Sequence, residues 1–395
     1  MVVLGATGSI GQSAAKVARD IPERMELVGL AAHSRARELA EQANEFQPEA
    51  VCLVDETKVD ELRRHLRYRP EILVGEEGLI HIAALGDMAL IAIIGTGGLR
   101  PALAAIAAGK DLALASKEVL VMAGEIVMQA ARARGVQVLP VDSEHNAIFQ
   151  CLDRGASFQL AKEGNSQLEN ARHNIRRIIL TASGGPFREM PADKFASVTV
   201  EQALQHPTWK MGQKITIDSA TLFNKGLEMI EARWLFDVEM KRVEVVVHPQ
   251  SIVHSLVEFA DGSMLAQLSH SNMCFPIQYA VTWPERVPNS LPPLDLGKIG
   301  QLEFATPRYQ DFPALDLARS AGETGGTLPA VLNAANEIAV SAFLQRRMSF
   351  PAIWQTVAQV MDRHESITRP DLDAILSADR WARTEAEKLV QQTKG

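Results

Sequence analysis

Seven residues near the start constrain the fold of this chain more than any other feature. Met1-Val2-Val3-Leu4 reads as a short buried strand, and Gly5-Ala6-Thr7-Gly8-Ser9-Ile10-Gly11 follows it with glycine at every third position. Glycines 5, 8 and 11 permit a tight strand-to-helix turn with close approach of backbone to a pyrophosphate, which the free N–H groups of the next helix can hold. The pattern predicts the first βα unit of a nucleotide-binding sheet; a purely structural glycine turn is the plainer alternative.

The alternation continues to residue 142. Apolar runs at 26–32, 51–54, 72–74, 88–94, 111–115 and 136–141 are separated by helical stretches such as 37–47, 100–108 and 118–134. Near-continuous apolar strands between helices predict a parallel sheet covered on both faces. After the second run the chain reads His33-Ser34-Arg35, with no carboxylate to take the ribose hydroxyls of an unphosphorylated dinucleotide. Arg35 suits a 2′-phosphate, which favours NADPH, unless it is only a solvated surface charge.

A chain of 395 residues exceeds the size of one hydrophobic core, so two or three domains are expected. The formal charge of −8, with no basic stripe, argues against a nucleic-acid partner. Cys52, Cys151 and Cys274 are far apart and outside metal-ligand spacing, which suits a reducing compartment. No apolar run reaches the roughly 18 residues of a membrane span, and the chain enters its first strand at once, without room for a signal peptide. The expectation is a cytoplasmic protein with no membrane partner.

Candidate chemistry begins where the first domain ends. Asp142 and Glu144 lie two residues apart, just past an apolar strand, with Ser143 between them. Alone they read as a helix cap and a first-turn charge. The segment 218–231 adds acids, hydroxyls, an amide and a lysine, including a third carboxylate, Glu228; an all-oxygen set favours Mg²⁺ or Mn²⁺. Ser183-Gly184-Gly185 ends a short apolar strand in a turn that offers a hydroxyl and N–H groups to an anion. With Ser219, Asn224 and Lys225 it can enclose a phosphate, although either loop alone can be only a turn. Between them, 205–214 mixes His206, Trp209, Met211 and Gly212 with Lys210 and Lys214 and has no strong period. It reads as a lid that shields a reacting carbon from water, or as a surface loop anchored by Trp209.

The ordered motifs GATGSIG, LASKE, PVDSEHNAIFQ, TASGGPFRE, HPTWKMGQKITIDSATLFNKGLEMIEARWLF, HPQSIVHSLVEF and LNAANEIAV span nearly the whole chain. Together they resemble the 1-deoxy-D-xylulose 5-phosphate reductoisomerase family. The resemblance implies rearrangement and NADPH-dependent reduction of that sugar phosphate to 2-C-methyl-D-erythritol 4-phosphate in non-mevalonate isoprenoid synthesis. It also implies a divalent cation, Mn²⁺ or Mg²⁺, and a homodimer.

Residue by residue, the resemblance implies Asp142, Glu144 and Glu228 as metal ligands and, with Lys117, as the catalytic set. Lys117, Ser143 and Glu144 would contact the sugar hydroxyls and ketone region. Ser183, His206, Ser219, Asn224, Lys225 and Glu228 would complete the substrate site, mostly around the phosphate, under a lid of Trp209 and Met211. The cofactor would meet Thr7, Gly8, Ser9 and Ile10 in the first turn, His33, Ser34 and Arg35 at its adenosine phosphate, and Ser116, Glu118 and Gly212. Four features depart from the family pattern: His33-Ser34-Arg35 in place of Gly-x-Asn, Ser116 in place of Asn, 271–276 in place of Asp-Met-Arg-x-Pro, and a short first strand. The alternatives are a metal-assisted NADPH oxidoreductase that does not rearrange its sugar phosphate, and a non-catalytic nucleotide-sensing scaffold.

The expected architecture is α/β: an N-terminal Rossmann-like parallel sheet, an α/β catalytic domain and a C-terminal α-helical domain. The expected boundaries are 1–142 for NADPH, 143–276 for catalysis and metal, 277–303 as connector and 304–395 as the helical domain. Strands are expected at 177–180, 243–247 and 264–268, and Pro284, Pro288, Pro292 and Pro293 discourage regular elements in the connector. Helices are expected at 314–321, 328–346, 352–361, 372–376 and 382–392, with Asn333 and Asn336 as interhelical partners.

Overall fold

The computed structural model describes residues 1–152, 174–209 and 211–392. Lys210, together with 153–173 of the expected second domain and 393–395 of the last, lies outside the described residues.

The first sheet contains β1 (Val2–Leu4), β2 (Gly29–Ala32), β3 (Ala50–Leu53), β4 (Glu71–Val74), β5 (Met88–Ile91), β6 (Asp111–Leu114) and β7 (Val138–Pro140). All pair in parallel, in the order β4-β3-β2-β1-β5-β6-β7. The winding reverses at β1, which opens a crevice beyond the carboxyl ends of β1 and β5. Gly5 makes the turn into that crevice possible: its φ is +95°, and a Cβ there would lie 2.2 Å from the Ala92 carbonyl oxygen.

The strands of the first sheet depart furthest from their apolar runs at β2 and β5. β2 starts at Gly29 rather than at residue 26, although Val28 N–H still bonds the Met1 carbonyl. β5 stops at Ile91, and Ala92, Ile93 and Ile94 turn into the crevice. The Ser116 hydroxyl donates to the Ile93 carbonyl oxygen at 2.5 Å, which the ladder no longer pairs, while the Ile91 carbonyl still accepts from the Ala115 and Ser116 N–H groups.

The second sheet contains β8 (Ile175–Ala182), β9 (Val243–Val247), β10 (Val253–Phe259) and β11 (Met264–Leu268), in the order β11-β10-β8-β9. β8 runs parallel to β9 and antiparallel to β10. β10 escapes a reading by periodicity because its polar residues are buried too. Ser255 bonds the His254 carbonyl, and Glu258 pairs with Arg176 and Arg177 at 2.9 and 2.5 Å.

Helix Cys274–Thr282 straddles the expected end of the second domain at 276 and returns the chain to the cofactor sheet. It packs on helix Ser9–Asp20, and the Cys274 thiol faces the Ser13 carbonyl at 3.7 Å. Pro276 sits in its first turn, where a missing N–H is harmless. The prolines therefore do not keep regular structure out of 277–303, which also holds the one-turn helix Leu296–Ile299.

The C-terminal part contains helices Ala314–Thr324, Leu328–Leu344, Ala352–Asp362 and Leu372–Gln392. The last is one continuous helix where two were expected. An Asp379–Arg383 ion pair of 2.8 Å spans the expected gap, and Ala378 and Ala382 bury the same face. Helix Lys117–Arg134 is the common spine, packing on helix Phe223–Phe236 and on helices Leu328–Leu344 and Leu372–Gln392. A Cβ on Gly124 would lie 2.2 Å from the Trp234 ring, so glycine sets how closely that spine approaches helix Phe223–Phe236.

Candidate active site

Asp142 leaves the carboxyl end of β7 and precedes helix Ser143–Leu152, whose first turn carries Glu144; Glu228 projects from helix Phe223–Phe236. Carboxylate oxygens of the three lie within 4.8 Å of one another. Two ammonium groups thread between them. Lys117 Nζ donates to Asp142 Oδ2 at 2.7 Å, to Asn224 Oδ1 at 2.8 Å and to Glu228 Oε1 at 3.1 Å. Lys225 Nζ donates to Glu144 Oε1 at 2.7 Å and to Glu228 Oε2. Ser143 orients Glu144 by donating to its Oε2 at 2.6 Å.

Burial opposes ionisation throughout this cluster, and the neighbouring charges decide the outcome. For Asp142, burial is the largest single influence and raises the carboxyl, but Lys117, His145 and Lys225 together outweigh it and hold it well below the usual range. Glu144 is pushed up by burial and by the Glu228 charge, with Lys225 opposing. Lys117 and Lys225 resist burial because the carboxylates around them raise their values. Deeper still, burial pushes Glu231 up to about 7.

The donor set fits a divalent cation. Three carboxylates, Glu228 buried and Asp142 and Glu144 half-buried, converge at the cavity wall, a net negative charge remains after both ammonium groups, and every ligand atom is a hard oxygen. The ammonium groups contact the same oxygens that a cation would use.

Beside this cluster, His206 Nε2 lies 3.0 Å from Ser183 Oγ and 3.1 Å from Ser219 Oγ, while Gly185 N–H donates to Ser183 Oγ. His206 Nδ1 accepts from the N–H groups of Thr208 and Trp209 at 3.2 and 2.9 Å. Burial lowers His206 to about 4, so the ring is neutral at physiological pH. Leu222, at φ +65°, separates helix Gln213–Thr221 from helix Phe223–Phe236, and the joint presents Ser219, Asn224 and Lys225 to one cavity.

That cavity encloses about 410 Å³ and joins the carboxylates, the serine–histidine cradle and the first turn. It gathers Lys117, Asp142, Ser143, Glu144, Ser183, His206, Ser219, Asn224, Lys225 and Glu228, the loop residues Trp209, Met211 and Gly212, and the cofactor candidates Gly8, Ser9, Ile10, Arg35, Ser116 and Glu118. It does not gather Thr7, His33 or Ser34. Thr7 is buried beneath the turn and its carbonyl accepts from Arg35 at 3.0 Å, while His33 and Ser34 are exposed outside.

Several lining residues escaped the sequence reading. His254 lies on β10 with its ring 6.4 Å from that of Trp209, and Ser251 bonds Thr208 at 3.3 Å. Asp218 ties Lys214, at 2.7 Å, to Asn336 of the helical part, at 2.8 Å. Ser251 and His254 lie in the motif HPQSIVHSLVEF, and Lys214 and Asp218 in the run from 206 to 236, so the motifs marked their segments without giving them a role. Asn336 is thus the interhelical partner expected, whereas Asn333 bonds Glu337 on its own helix.

A doubly wound dinucleotide sheet facing a buried all-oxygen carboxylate cluster defines a metal-assisted nucleotide-dependent oxidoreductase. Family descriptions match almost end to end: 1-deoxy-D-xylulose 5-phosphate reductoisomerase over residues 1–124, its C-terminal domain over 138–236, and the DXP reductoisomerase C-terminal domain over 268–385. The chain belongs to the 1-deoxy-D-xylulose 5-phosphate reductoisomerase family. The relative from Symbiobacterium thermophilum is 52% identical over 98% of each chain. That from Synechococcus sp. (strain JA-2-3B'a(2-13)) is 49% identical over 99% of this chain and 97% of its own. Among solved structures, the reductoisomerase from Zymomonas mobilis in complex with NADPH is 41% identical, with a TM-score of 0.89 over 99% of this chain and 98% of that one. A DOX-P reductoisomerase in complex with NADPH, fosmidomycin and magnesium is 40% identical, with a TM-score of 0.91 over 100% and 98%.

Proposed function

We propose that this cavity is where the chain carries out its family's reaction, with Asp142, Glu144 and Glu228 as the cation ligands. The chain converts 1-deoxy-D-xylulose 5-phosphate to 2-C-methyl-D-erythritol 4-phosphate with NADPH and a divalent cation such as Mg²⁺. The observation that carries the site assignment is the convergence of three carboxylates within 4.8 Å between a dinucleotide turn and a phosphate cradle.

When bound, the cation supplies Lewis-acid polarisation of substrate oxygens, and NADPH supplies the hydride. Lys117 brings a fixed positive charge to the same oxygens, and Asn224 holds its ammonium in place. Ser143 keeps Glu144 turned toward the cluster. Ser183, His206, Ser219, Asn224 and Lys225 bind the substrate phosphate, and Trp209 with Met211 excludes water above it. Gly8, Ser9 and Ile10, with Thr7 beneath, cradle the cofactor pyrophosphate; Arg35, with exposed His33 and Ser34, faces the adenosine phosphate. Ser116, Glu118 and Gly212 border the nicotinamide end.

The working division is 1–142 for cofactor, 143–276 for catalysis, 277–303 as connector and 304–395 as the helical domain. A homodimer is supported by β11, an edge strand whose Met264 and Leu265 are 44 and 51% exposed. Among the described residues no helix is long and apolar enough to cross a membrane. Cytoplasmic residence is supported by the three free thiols, and the charge of −8 disfavours a nucleic-acid partner.

The test is turnover of 1-deoxy-D-xylulose 5-phosphate with NADPH and Mn²⁺, read by product mass and carbon connectivity. The branched tetrol phosphate is expected. An unbranched reduced sugar phosphate, or binding without turnover, overturns the assignment.

A further inference from the structure

His145 follows Glu144 on helix Ser143–Leu152, and Glu231 lies about one turn beyond Glu228 on helix Phe223–Phe236. Neither has a place in the chemistry above, yet both side chains are fully enclosed, at 0 and 1% exposure. His145 Nε2 stands 2.9 Å from the main-chain oxygen of Glu228. A carbonyl oxygen only accepts, so Nε2 carries a proton. That leaves Nδ1 facing Glu231 Oε2 at 3.3 Å, an ion-pair distance without hydrogen-bond geometry, and among the described residues neither Nδ1 nor either Glu231 oxygen has a hydrogen-bond partner. Buried polar atoms seldom go unpartnered, and Nδ1 and the Glu231 carboxylate have this contact with each other. Phe236 stacks against the imidazole at 6.4 Å with 24° between planes, which limits the tilt of the ring.

The consequence is mechanical. The imidazole links the helix of Glu144 to the backbone of Glu228 itself, and Glu231 sets which nitrogen points at that backbone. We propose that Glu231 is a positioning residue for the cation ligands: through His145 it fixes the separation at which the two helices present Glu144 and Glu228. The proposal rests on the assignment of Asp142, Glu144 and Glu228 as ligands. Glu231 touches no substrate; its effect reaches the site through ligand geometry, as partners behind metal ligands do elsewhere.

The test is direct Mn²⁺ titration of the whole protein, with NADPH affinity as the measure of an intact fold. Glu231→Leu keeps the volume and removes the polar partner; Mn²⁺ affinity should fall about 10–100-fold with NADPH affinity unchanged. Glu231→Gln can donate its amide N–H to Nδ1, so it should restore Mn²⁺ affinity to within about threefold of the unaltered protein. Unchanged affinity in the leucine variant overturns the proposal, as does a glutamine variant that is equally impaired. Binding of two Mn²⁺ per unaltered chain also overturns it, because Asp142, His145 and Glu231 have ligand atoms within 4.8 Å of one another and would then hold a second ion. If the leucine variant no longer binds NADPH, ¹⁵N spectra of the unaltered protein decide: a His145 ring with Nε2 bare and the proton on the Nδ1 side alone excludes the link to Glu228. NADPH binding with no Mn²⁺ uptake at all refutes the ligand assignment, and the positioning role falls with it.

Discussion

Glu228 is the residue at which both ammonium groups meet, so its replacement separates charge from packing. In Glu228→Gln, Lys117 keeps Asp142 and Lys225 keeps Glu144, and no buried cation is left without a carboxylate. Loss of like-charge crowding offsets part of the lost attraction, so stability should change by only about 1 kcal/mol. Cation affinity and turnover should fall at least about 100-fold, because one anionic ligand is gone. Denaturant unfolding together with Mn²⁺ titration checks both halves; a variant with undiminished Mn²⁺ binding rejects Glu228 as a ligand. Arg35 presents a different balance. Its guanidinium already donates to the Thr7 carbonyl, so Arg35→Ala loosens the turn for any dinucleotide. The loss for NADPH should exceed that for NADH by about tenfold, the value of one charge-assisted bond. Equal losses in a two-cofactor titration would assign Arg35 to bracing alone.

At the scale of the element, the loop that carries Trp209 depends on one neutral imidazole. His206 Nδ1 accepts two loop N–H groups, and protonation removes that lone pair. Its folded value, about 4, lies below the ordinary 6.5, so the arrangement is fully present above about 6.5 and is lost as pH falls toward 4. The difference in tryptophan emission between the unaltered protein and Trp209→Phe should therefore change as pH falls from 6.5 through about 4, most steeply near 4, and His206→Gln should flatten it. A difference signal constant across that range would show that the ring does not hold the loop. Trp209→Ala should lower turnover strongly while sparing NADPH affinity without sugar phosphate. Hydrogen exchange at 205–209 and 211–214 should slow on substrate binding in the unaltered protein, and less in the variant. Equal slowing with equal turnover makes Trp209 a fixed packing residue.

Across the whole molecule, the site depends on helix Lys117–Arg134 being held against helix Phe223–Phe236, which brings Lys117 to Glu228. Gly124→Ala sets two effects against each other. Alanine improves an exposed helix interior by about 1 kcal/mol, but overpacking a core contact costs about 1–3 kcal/mol. Here the added Cβ would lie 2.2 Å from the Trp234 ring, so the steric cost wins and the helices separate. Reduced thermal stability with reduced turnover is expected; a stabilised, active variant would show that Trp234 moves aside freely.

The sequence by itself determined whatever depends on neighbours a few positions apart. The glycine turn, the alternation of strand and helix through residue 142, β9 and β11 with their observed bounds, and the candidate residues of the proposed cation site followed from local spacing and from family motifs. Tertiary structure decided what depends on distant partners. β10 was hidden because its polar residues are buried, with Glu258 satisfied by arginines of β8 and Ser255 by its own strand, and the break expected near 377–381 closed because burial and an Asp379–Arg383 pair favoured one helix. The same holds within the site. Asp142 and Glu144 were two residues apart in the chain, but their meeting with Glu228, the threading of Lys117 and Lys225 between them, and the contact of His145 with Glu231 arise only when three helices pack. Periodicity reports which face of an element is buried; it carries no information about which charge lies buried opposite.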